Sequence, residues 1–260
     1  PTPVVNFIVR AVDEILKTDF NLKDGLADTS KTSIEVDTAY VSGRGKNKAT
    51  KKDKQTKEVH KVQILDPATG TGTFLAETIK LIHDNHFKAM QGAWSQYVEQ
   101  DLIPRINGFE ILMASYAMAH LKLELLLAET GYEADKNPRL NVYLTNSLEE
   151  HHPDTGTLFA TWLSNEASEA NYIKRDTPVM VVMGNPPYSV SSSNKSDWIN
   201  DLLVDYKKDL NERNIQPLSD DYIKFIRYGQ HYKEKNGDGV LAYISNNSFK
   251  DGVIDRQMRK

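Results

Sequence analysis

The chain has 260 residues, of which 39% are apolar, and is long enough to bury a core in one large domain or two small ones. Its mean hydropathy of -0.53 and the lack of an apolar run of about 20 residues predict a cytoplasmic protein without a membrane span. The absence of cysteine excludes disulfide scaffolds, thiolate metal sites and enzymes that attack through a thiolate. The net charge of -4 creates no global positive field, so any nucleic-acid binding must be local.

Basic residues are concentrated between Arg44 and Lys61, where eight of them stand against Asp53 and Glu58. The segment has almost no apolar residues, which predicts a mobile excursion over residues 41–59 between two strands. A solvated loop is one interpretation. The other is a finger that contacts phosphates, whose binding would weaken as salt competes. The composition is compatible with both.

Apolar periodicity divides the rest of the chain into helices and strands. Helical spacing predicts helices over residues 3–17, 74–85, 87–100, 112–129, 198–213 and 221–234. Short apolar runs predict strands over residues 62–65, 107–111, 140–144, 179–183 and 240–244. This alternation predicts an α/β fold with a doubly wound, mainly parallel sheet. Ligands of such sheets lie beyond the carboxyl ends of the strands, so the residues that follow each strand are the candidate site residues.

The first candidate segment is Asp-Pro-Ala-Thr-Gly-Thr-Gly-Thr-Phe at residues 66–74. Gly70 and Gly72 allow the backbone to approach a ligand closely, and the start of the next helix offers N–H groups to a carboxylate or a phosphate. The segment is not a phosphate loop, because the pattern Gly-x-x-x-x-Gly-Lys-Ser/Thr is missing, and it is not the dinucleotide fingerprint, because Leu75 stands where the third glycine belongs. Glu110, the next acidic strand end, lies 44 residues after Asp66 instead of about 20, which argues against a nicotinamide cofactor.

The second candidate segment is Gly-Asn-Pro-Pro-Tyr at residues 184–188. Two consecutive prolines remove two backbone donors and fix the direction of the chain. The turn is expected to present the Asn185 amide oxygen and the Pro186 carbonyl as neighbouring acceptors, with the Tyr188 ring beside them. Such a set suits a planar exocyclic amine like that of adenine, because two acceptors favour the pyramidal nitrogen that can attack.

Both segments resemble motifs of a known family. Residues 66–74 resemble motif I, and residues 185–188 resemble motif IV, of the amino-methylating, S-adenosylmethionine-dependent DNA methyltransferases. Residues 1–9 are similar to motif X without the threonine that precedes it, so the chain is expected to be shortened there. The motif order X, I, IV is that of the gamma class. Residues 121–132, 141–150 and 243–252 resemble the modification domain of Type ISP (Type I-like) and Type IIG single-polypeptide restriction-modification enzymes.

The resemblance implies a fold and a domain plan. Residues 1–260 would form the catalytic core, with the Rossmann-like sheet of S-adenosylmethionine-dependent methyltransferases truncated at its C-terminal end, and a target-recognition domain would follow residue 260. The cofactor-binding residues would be Asp66, Pro67, Ala68, Thr69, Gly70, Gly72, Glu110, Ile111, Asn146, Ser147 and Pro187. Among them, Glu110 would accept both ribose hydroxyls and Ile111 would pack on the cofactor adenine. Asn146 stands where the family usually has aspartate.

By the same resemblance, the catalytic residues would be Asn185, Pro186 and Tyr188. The expected activity is methyl transfer from S-adenosylmethionine to the N6 amine of a flipped adenine in double-stranded DNA, with nuclease and helicase modules on the same polypeptide. Methylation of cytosine N4 or of protein glutamine, and a non-catalytic module that binds cofactor or DNA, stay as alternatives. No metal is expected, because His83 and His86, and His151, His152 and Asp154, are interpreted as solvated polar residues.

Overall fold

The computed structural model of the protein describes residues 2–42, 49–133, 139–150, 161–189 and 192–259, of which residues 37–42, 49–53 and 161–165 are described by their backbone. The described α-helices are α1 (Thr2–Thr18), α2 (Thr73–Ile82), α3 (Gln91–Tyr97), α4 (Met113–Glu129), α5 (Thr161–Arg175), α6 (Asp197–Leu202), α7 (Val204–Lys207), α8 (Asp221–Asn236) and α9 (Ser248–Asp251). The described strands are β1 (Lys31–Ser42), β2 (Ala49–His60), β3 (Gln63–Asp66), β4 (Ile106–Glu110), β5 (Asn141–Leu144), β6 (Val179–Gly184) and β7 (Val240–Tyr243).

Strands β3 to β7 form one sheet in the order β5-β4-β3-β6-β7. All four strand pairings in it are parallel. The chain starts at the central strand β3, adds β4 and β5 on one side, and then returns to place β6 and β7 on the other. This is a doubly wound sheet, which confirms the predicted α/β fold. Its topological switch point lies between β3 and β6, where such sheets bind their ligands.

Helices cover both faces of this sheet. Alternate residues of each strand point to opposite faces, so Ile64 of β3 packs with α1, α2 and α4, whereas Leu65 packs with α5, α6 and α8. Strand β6 interrupts the alternation, because its register with β3 steps from Val179 to Val181. Met180 is the extra residue, and it lies in the same core as its neighbour Val181. The bulge adjusts the course of β6 before it reaches the site.

The predicted strands of the sheet are confirmed, each within two residues, and the predicted helices at 3–17, 112–129 and 221–234 are confirmed as α1, α4 and α8. The helix predicted over 198–213 was wrong in its extent, because two short helices, α6 and α7, replace it and end at Lys207, and Asp209 then adopts a left-handed φ of 57°. Helix α5 was not predicted. Its sequence is mostly polar, and Ala170 and Ile173 provide its buried apolar contacts.

The basic segment departs most from expectation. Residues 49–59 are not a loop, because β2 pairs with β1 over twelve antiparallel positions from Lys31 opposite His60 to Ser42 opposite Ala49. Backbone pairing joins the two strands, and the exposed side chains of Lys54 and Glu35 form an ion pair across them at 2.9 Å. The predicted excursion was therefore wrong in conformation. Residues 43–48 lie outside the described residues.

The hairpin is joined to the amino end of β3, since His60 ends β2 and β3 begins at Gln63. The hairpin is therefore attached at the end of the sheet where the strands begin, opposite to their carboxyl ends. A cavity of about 440 Å³ lies between its base and α5, lined in part by His60, Gln63 and Tyr172. Among the residues that the structure describes, none of the helices has the length and apolar character needed to cross a bilayer.

Candidate active site

The two candidate segments meet at the switch point of the sheet. Leu65 of β3 is paired with Val182 of β6, so the loop after β3 and the turn after β6 emerge side by side. At Gly184 a β-carbon would lie 2.6 Å from Asp66 Oδ1 and 3.6 Å from Pro67 Cδ, which shows how closely the segments approach. We call residues 66–73 the glycine loop and residues 184–189 the proline turn. Only glycine allows this contact without a shift of Asp66.

The glycine loop is held by hydrogen bonds within itself. Asp66 Oδ1 accepts the Ala68 N–H at 3.1 Å, and the Asp66 carbonyl accepts the Thr69 hydroxyl at 3.0 Å. The Gly72 N–H donates to the Thr69 carbonyl at 2.8 Å. Gly70 and Gly72 have φ values of 56° and 76°, which L-residues with side chains rarely adopt. The loop therefore needs glycine at both positions for its backbone conformation.

The two glycines differ in their surroundings. A β-carbon on Gly72 would contact Ala119 and Leu123 of α4 at 3.4–3.5 Å, so this position serves close packing of the loop on the helix. A β-carbon on Gly70 would have a single neighbour within 4 Å, the Ala68 carbonyl oxygen at 4.0 Å. The backbone at Gly70 therefore faces open space that a ligand can approach.

Asp66 is 1% exposed, and burial raises its pKa from 3.8 to about 7. The Ala68 N–H opposes this shift, and the negative charge of Glu110 adds to it. A buried carboxyl with a pKa near neutrality gains or loses a proton when a charged ligand binds beside it. Asp66 is therefore the group in the glycine loop whose ionisation responds most directly to a cationic ligand.

Glu110 ends β4 and faces the glycine loop. Its Oε2 accepts the Gly70 N–H at 2.8 Å, and its Oε1 accepts the N–H groups of Ile111 and Leu112 at 2.9 and 2.8 Å. A carboxylate has about four acceptor positions, so three are used and one on Oε2 is available to a ligand hydroxyl. The Ile111 side chain, expected to pack on an adenine, is 59% exposed at the same edge.

The loop after β5 joins the same rim. The Ser147 hydroxyl donates to the Pro67 carbonyl at 2.5 Å, which ties this loop to the glycine loop. The Thr145 N–H donates to the Glu110 carbonyl at 2.8 Å and continues the pairing of β5 with β4. The structure thus brings together residues that follow β3, β4, β5 and β6, as the sequence predicted for a sheet of this type.

Asn146 has a fixed amide orientation. Its Nδ2 donates to Glu149 Oε1 and to Asn194 Oδ1, each at 3.0 Å, and its Oδ1 accepts the Leu148 N–H at 3.0 Å. Glu149 Oε1 and Asn194 Oδ1 are both acceptors, so the Asn146 amide must turn its nitrogen toward them. The Asn146 Oδ1 is then the acceptor for the Leu148 N–H. One lone pair of this oxygen is left for a ligand donor.

A buried polar network holds Asn194 in place, and the sequence analysis did not identify it. Asp221 Oδ1 accepts the Asn194 amide at 3.0 Å and the Ser192 hydroxyl at 2.5 Å. Lys224 Nζ donates to the Ser192 hydroxyl at 2.6 Å and to the Asn194 carbonyl. Lys224 is 2% exposed, and burial lowers its pKa while the Asp221 charge opposes that change. The chain after the proline turn is therefore fastened to the first turn of α8.

In the proline turn, the polar groups and the aromatic ring are open to solvent. Asn185, Pro187 and Tyr188 are exposed, whereas Pro186 is buried. The Tyr188 hydroxyl lies 3.4 Å from Asn185 Oδ1 and 3.2 Å from the Ile244 carbonyl, and its single proton can serve one of them at a time. The Tyr188 ring, 50% exposed, therefore lies beside the Asn185 amide on the surface of the rim.

A second tyrosine supports this turn. The ring of Tyr222 lies 6.3 Å from that of Tyr188 at an angle of 57°. Tyr222 is itself buried, and its hydroxyl shares a hydrogen bond of 2.6 Å with Ser248. It therefore packs behind Tyr188. Phe225 and Tyr228 of α8, which are 6% and 1% exposed, belong to the core on that face of the sheet.

His83 has a structural part in the core. The interpretation of His83 as a solvated residue was wrong, since it is 8% exposed and packs edge-on against Trp94 with ring centroids 5.1 Å apart. Within the described ranges, no group of three or more His, Cys, Asp or Glu residues is arranged to hold a metal ion. His151, His152 and Asp154 lie outside the described residues.

Comparison with family models decides the family. Residues 43–258 match the model described as the MmeI, DNA-methyltransferase domain. The chain belongs to this family. The match confirms the resemblance to DNA methyltransferases that motifs I and IV indicated. Comparison with curated protein sequences gives no match.

Three solved structures are similar in fold over the whole chain. One is the Type ISP restriction-modification enzyme LlaBIII bound to DNA, with a TM-score of 0.72, 24% identity and coverage of 100% of this chain and 16% of that chain. A nuclease-deletion mutant of the Type ISP enzyme LlaGI with a DNA substrate mimic has a TM-score of 0.69, 23% identity and coverage of 100% and 21%. The DrdV–DNA complex has a TM-score of 0.68, 24% identity and coverage of 100% and 21%. The chain thus spans about a fifth or less of the length of these proteins.

Proposed function

We propose that this domain transfers a methyl group from S-adenosylmethionine to the N6 amine of an adenine flipped out of double-stranded DNA, as the modification part of a restriction-modification enzyme. The observation that carries the proposal is the meeting of the glycine loop and the proline turn at the switch point, with Gly184 against Asp66. Membership of the MmeI DNA-methyltransferase domain family supports the reaction class.

The residues at the rim fit the proposed cofactor. Asp66, Pro67, Ala68, Thr69, Gly70 and Gly72 would surround its methionine part, where the backbone at Gly70 faces open space. Glu110 has one acceptor position for a ribose hydroxyl, so accepting both hydroxyls would require the Gly70 N–H to give way. Ile111, Asn146 and Ser147 would enclose the adenine, and Pro187 would lie near the methyl group. When bound, the cofactor supplies an electrophilic methyl group on a sulfonium.

The proline turn would hold the target base. Asn185 Oδ1 and the Pro186 carbonyl would accept the two amine hydrogens, which localises the nitrogen lone pair for attack. The exposed Tyr188 ring would stack on the base, and such stacking is worth about 1–3 kcal/mol per base. This is comparable with the few kcal/mol that extrusion of a base requires. The turn can therefore offset much of the cost of flipping.

The choice of adenine and DNA rests on particular features. Asparagine at position 185 favours adenine N6, because serine or aspartate there would have favoured cytosine N4. LlaBIII and DrdV, which share the fold, are described with DNA, and LlaGI is described with a DNA substrate mimic, which supports DNA as the partner. We propose by the same likeness that nuclease and helicase modules, and a target-recognition domain after residue 260, accompany this domain.

The test is the variant Asn185→Ala in a polypeptide that includes the recognition region. Loss of one positioned polar group of this kind lowers turnover by about 100- to 1,000-fold, and we expect that loss here with S-adenosylmethionine affinity unchanged. Methyl incorporation into DNA and mass spectrometry of the nucleosides report the rate and the base. Asn200→Ala on α6, where the Asn200 amide donates to the Lys195 backbone carbonyl, is the control. Wild-type methylation by Asn185→Ala would refute the mechanism, and methylated cytosine would refute the base.

A further inference from the structure

Lys174, near the C-terminal end of α5, is a cation to which the proposed reaction gives no role. Its side chain reaches the loop after β5, residues 145–149, which we call the β5 loop. The ammonium donates to Thr145 Oγ1 at 3.0 Å, to the Asn146 carbonyl at 2.7 Å and to the Glu149 carbonyl at 3.3 Å. An ammonium has three N–H donors, so the β5 loop takes all of them.

These hydrogen bonds close the β5 loop on itself. Thr145 is its first residue and Glu149 is its last, and one ammonium binds both of them. Hydrogen bonds from a charged donor are roughly twice as strong as those between neutral groups. The ammonium also lies 5.6 Å from the centroid of the ring of Phe109, which is buried in the neighbouring strand β4. Lys174 therefore joins α5, β4 and the β5 loop at one point.

The surroundings of Lys174 show which element the cation serves. Its side chain is half-buried, and burial lowers its pKa from 10.5 to about 8, while the Glu149 carboxylate opposes this change. Removal of a cation from water is unfavourable unless its donors find partners, and these partners all belong to the β5 loop. Helix α5 gains nothing from this arrangement that an apolar side chain would not give. The cation therefore serves the β5 loop.

The β5 loop carries two residues of the proposed cofactor site. Asn146 Oδ1 keeps one lone pair for a ligand donor, and Ser147 ties the loop to the Pro67 carbonyl at 2.5 Å. An amide is neutral, so its hydrogen bond to an amine depends on direction more than that of an aspartate at the same place. The backbone at Asn146 must therefore keep its position, and Lys174 binds the carbonyl of that residue.

We propose that Lys174 is a positioning residue for the adenine end of the cofactor site, because its ammonium fixes the β5 loop where Asn146 can meet the cofactor. The inference rests on the proposed function for the identity of the ligand. Lys174 acts through the loop. Loss of its three donors should therefore weaken cofactor binding and leave methyl transfer from bound cofactor nearly unchanged.

The first test needs no cofactor. Lys174→Met in the full-length polypeptide keeps the length of the side chain and removes its donors. Hydrogen exchange at the backbone amides of residues 145–149 should become at least about tenfold faster, because the loop opens more easily. Lys235→Met is the matched control, since this lysine lines the same cavity of about 300 Å³ as Lys174 but donates to the Arg175 carbonyl. Unchanged exchange in Lys174→Met, with folding checked by circular dichroism, would overturn the proposal.

A milder variant gives the same measurement without removal of the cation. Thr145→Val keeps the shape of the side chain and removes one of the three acceptors of Lys174. It should speed exchange over residues 145–149 by about threefold, since one charge-assisted hydrogen bond is lost and two stay. Exchange at the wild-type rate in Thr145→Val would contradict the proposal even if Lys174→Met did not fold.

The second test measures the cofactor. By calorimetry, S-adenosylhomocysteine should bind Lys174→Met at least about tenfold more weakly than wild type, and Lys235→Met should bind it like wild type. In methyl transfer, KM for S-adenosylmethionine should rise by a similar factor, while kcat and KM for DNA stay within about threefold. A lower kcat with unchanged KM for S-adenosylmethionine would overturn the positioning role.

The same titration separates this inference from the proposed function. If wild type binds S-adenosylhomocysteine and Lys174→Met binds it equally well, the positioning role is wrong and the proposed cofactor stands. If wild type does not bind S-adenosylhomocysteine, the proposed cofactor is wrong, and the role of Lys174 toward it falls as well.

Discussion

The glycine loop and the proline turn meet at one rim, but their polar groups differ in how fully they are hydrogen-bonded within the protein. In the glycine loop, the Asp66 carboxyl group accepts the Ala68 N–H, and the Gly70 N–H donates to Glu110, which faces the loop from the end of β4. In the proline turn, Asn185 and Tyr188 are exposed, and the tyrosine hydroxyl lies at 3.2 and 3.4 Å from its neighbours. Because the glycine loop is already held by hydrogen bonds, it loses less entropy when it binds a cofactor of constant shape. An open turn admits a base that must leave its duplex.

The ionisation of Asp66 gives the largest expected effect. Its pKa is about 7 in the folded protein against 3.8 as the ordinary value. Below about pH 4 both folded and unfolded states are protonated; as pH rises through about 7 the folded state loses stability because it resists ionisation. The full cost is about 4 kcal/mol, of which about 2–3 kcal/mol develops between about pH 5 and about pH 8. We expect Asp66→Asn to gain that difference relative to wild type in urea unfolding.

Asp19→Asn, which removes an exposed carboxylate, is the control for the loss of charge alone. Its stability relative to wild type should change much less over the same pH range. If Asp66→Asn and wild type lost stability in parallel as pH rises, the buried carboxyl would not be the group that resists ionisation. The glycine loop would then have no electrostatic cost from a buried carboxyl group.

Substitution at Gly184 breaks the contact between the two segments. In Gly184→Ala the new methyl group would lie 2.6 Å from Asp66 Oδ1, so the loop or the turn must move. Overpacking of this kind costs about 1–3 kcal/mol, and we expect that loss in urea unfolding together with weaker S-adenosylmethionine binding by calorimetry. Gly92→Ala on α3, with no atom within 4 Å of the added carbon, is the control. Undiminished cofactor affinity in Gly184→Ala would contradict the contact.

The meeting of the two segments could be predicted from the sequence, because parallel strands place their carboxyl ends at one edge of the sheet. Asp66 and Gly184 are far apart in the chain, yet each comes directly after an apolar run. Those positions were enough to predict that the two segments lie together. The network of Asn194, Asp221 and Lys224 gave no such signal. Its members lie in a polar loop and at a helix start, where caps, turns and solvated side chains have the same composition.

The hairpin and α5 show a different limit. Lysine-rich residues 49–60 have little apolar content, and their conformation is set by pairing with Lys31–Ser42, which local composition does not report. In α5 a short buried stripe, including Ala170 and Ile173, is enough to pack a polar helix on the sheet. Tertiary contacts thus decide both elements, whereas the strands of the sheet are decided by their own apolar runs.

Removal of the Tyr188 ring tests the open side of the rim. Tyr188→Ala should lower kcat/KM for DNA about tenfold or more, since stacking on a flipped base is worth about 1–3 kcal/mol. Fluorescence of 2-aminopurine at the target position should show less flipping at the same time. Tyr188→Phe keeps the ring and loses only contacts of 3.2 and 3.4 Å, so it should stay within about threefold of wild type. An equal loss in both variants would assign the effect to the hydroxyl instead.

The hydrogen bond between the loop after β5 and the chain that follows the proline turn gives the smallest expected effect. Asn194→Ala removes one of the two acceptors that orient the Asn146 amide, and the amide can then turn. We expect a loss of about 1 kcal/mol in the preference for S-adenosylhomocysteine over S-inosylhomocysteine, in which a carbonyl replaces the adenine amine, as measured by calorimetry. Asn200→Ala is the control. Equal weakening of both ligands would indicate general loosening of the loop, because only a change in amide orientation distinguishes an amine from a carbonyl.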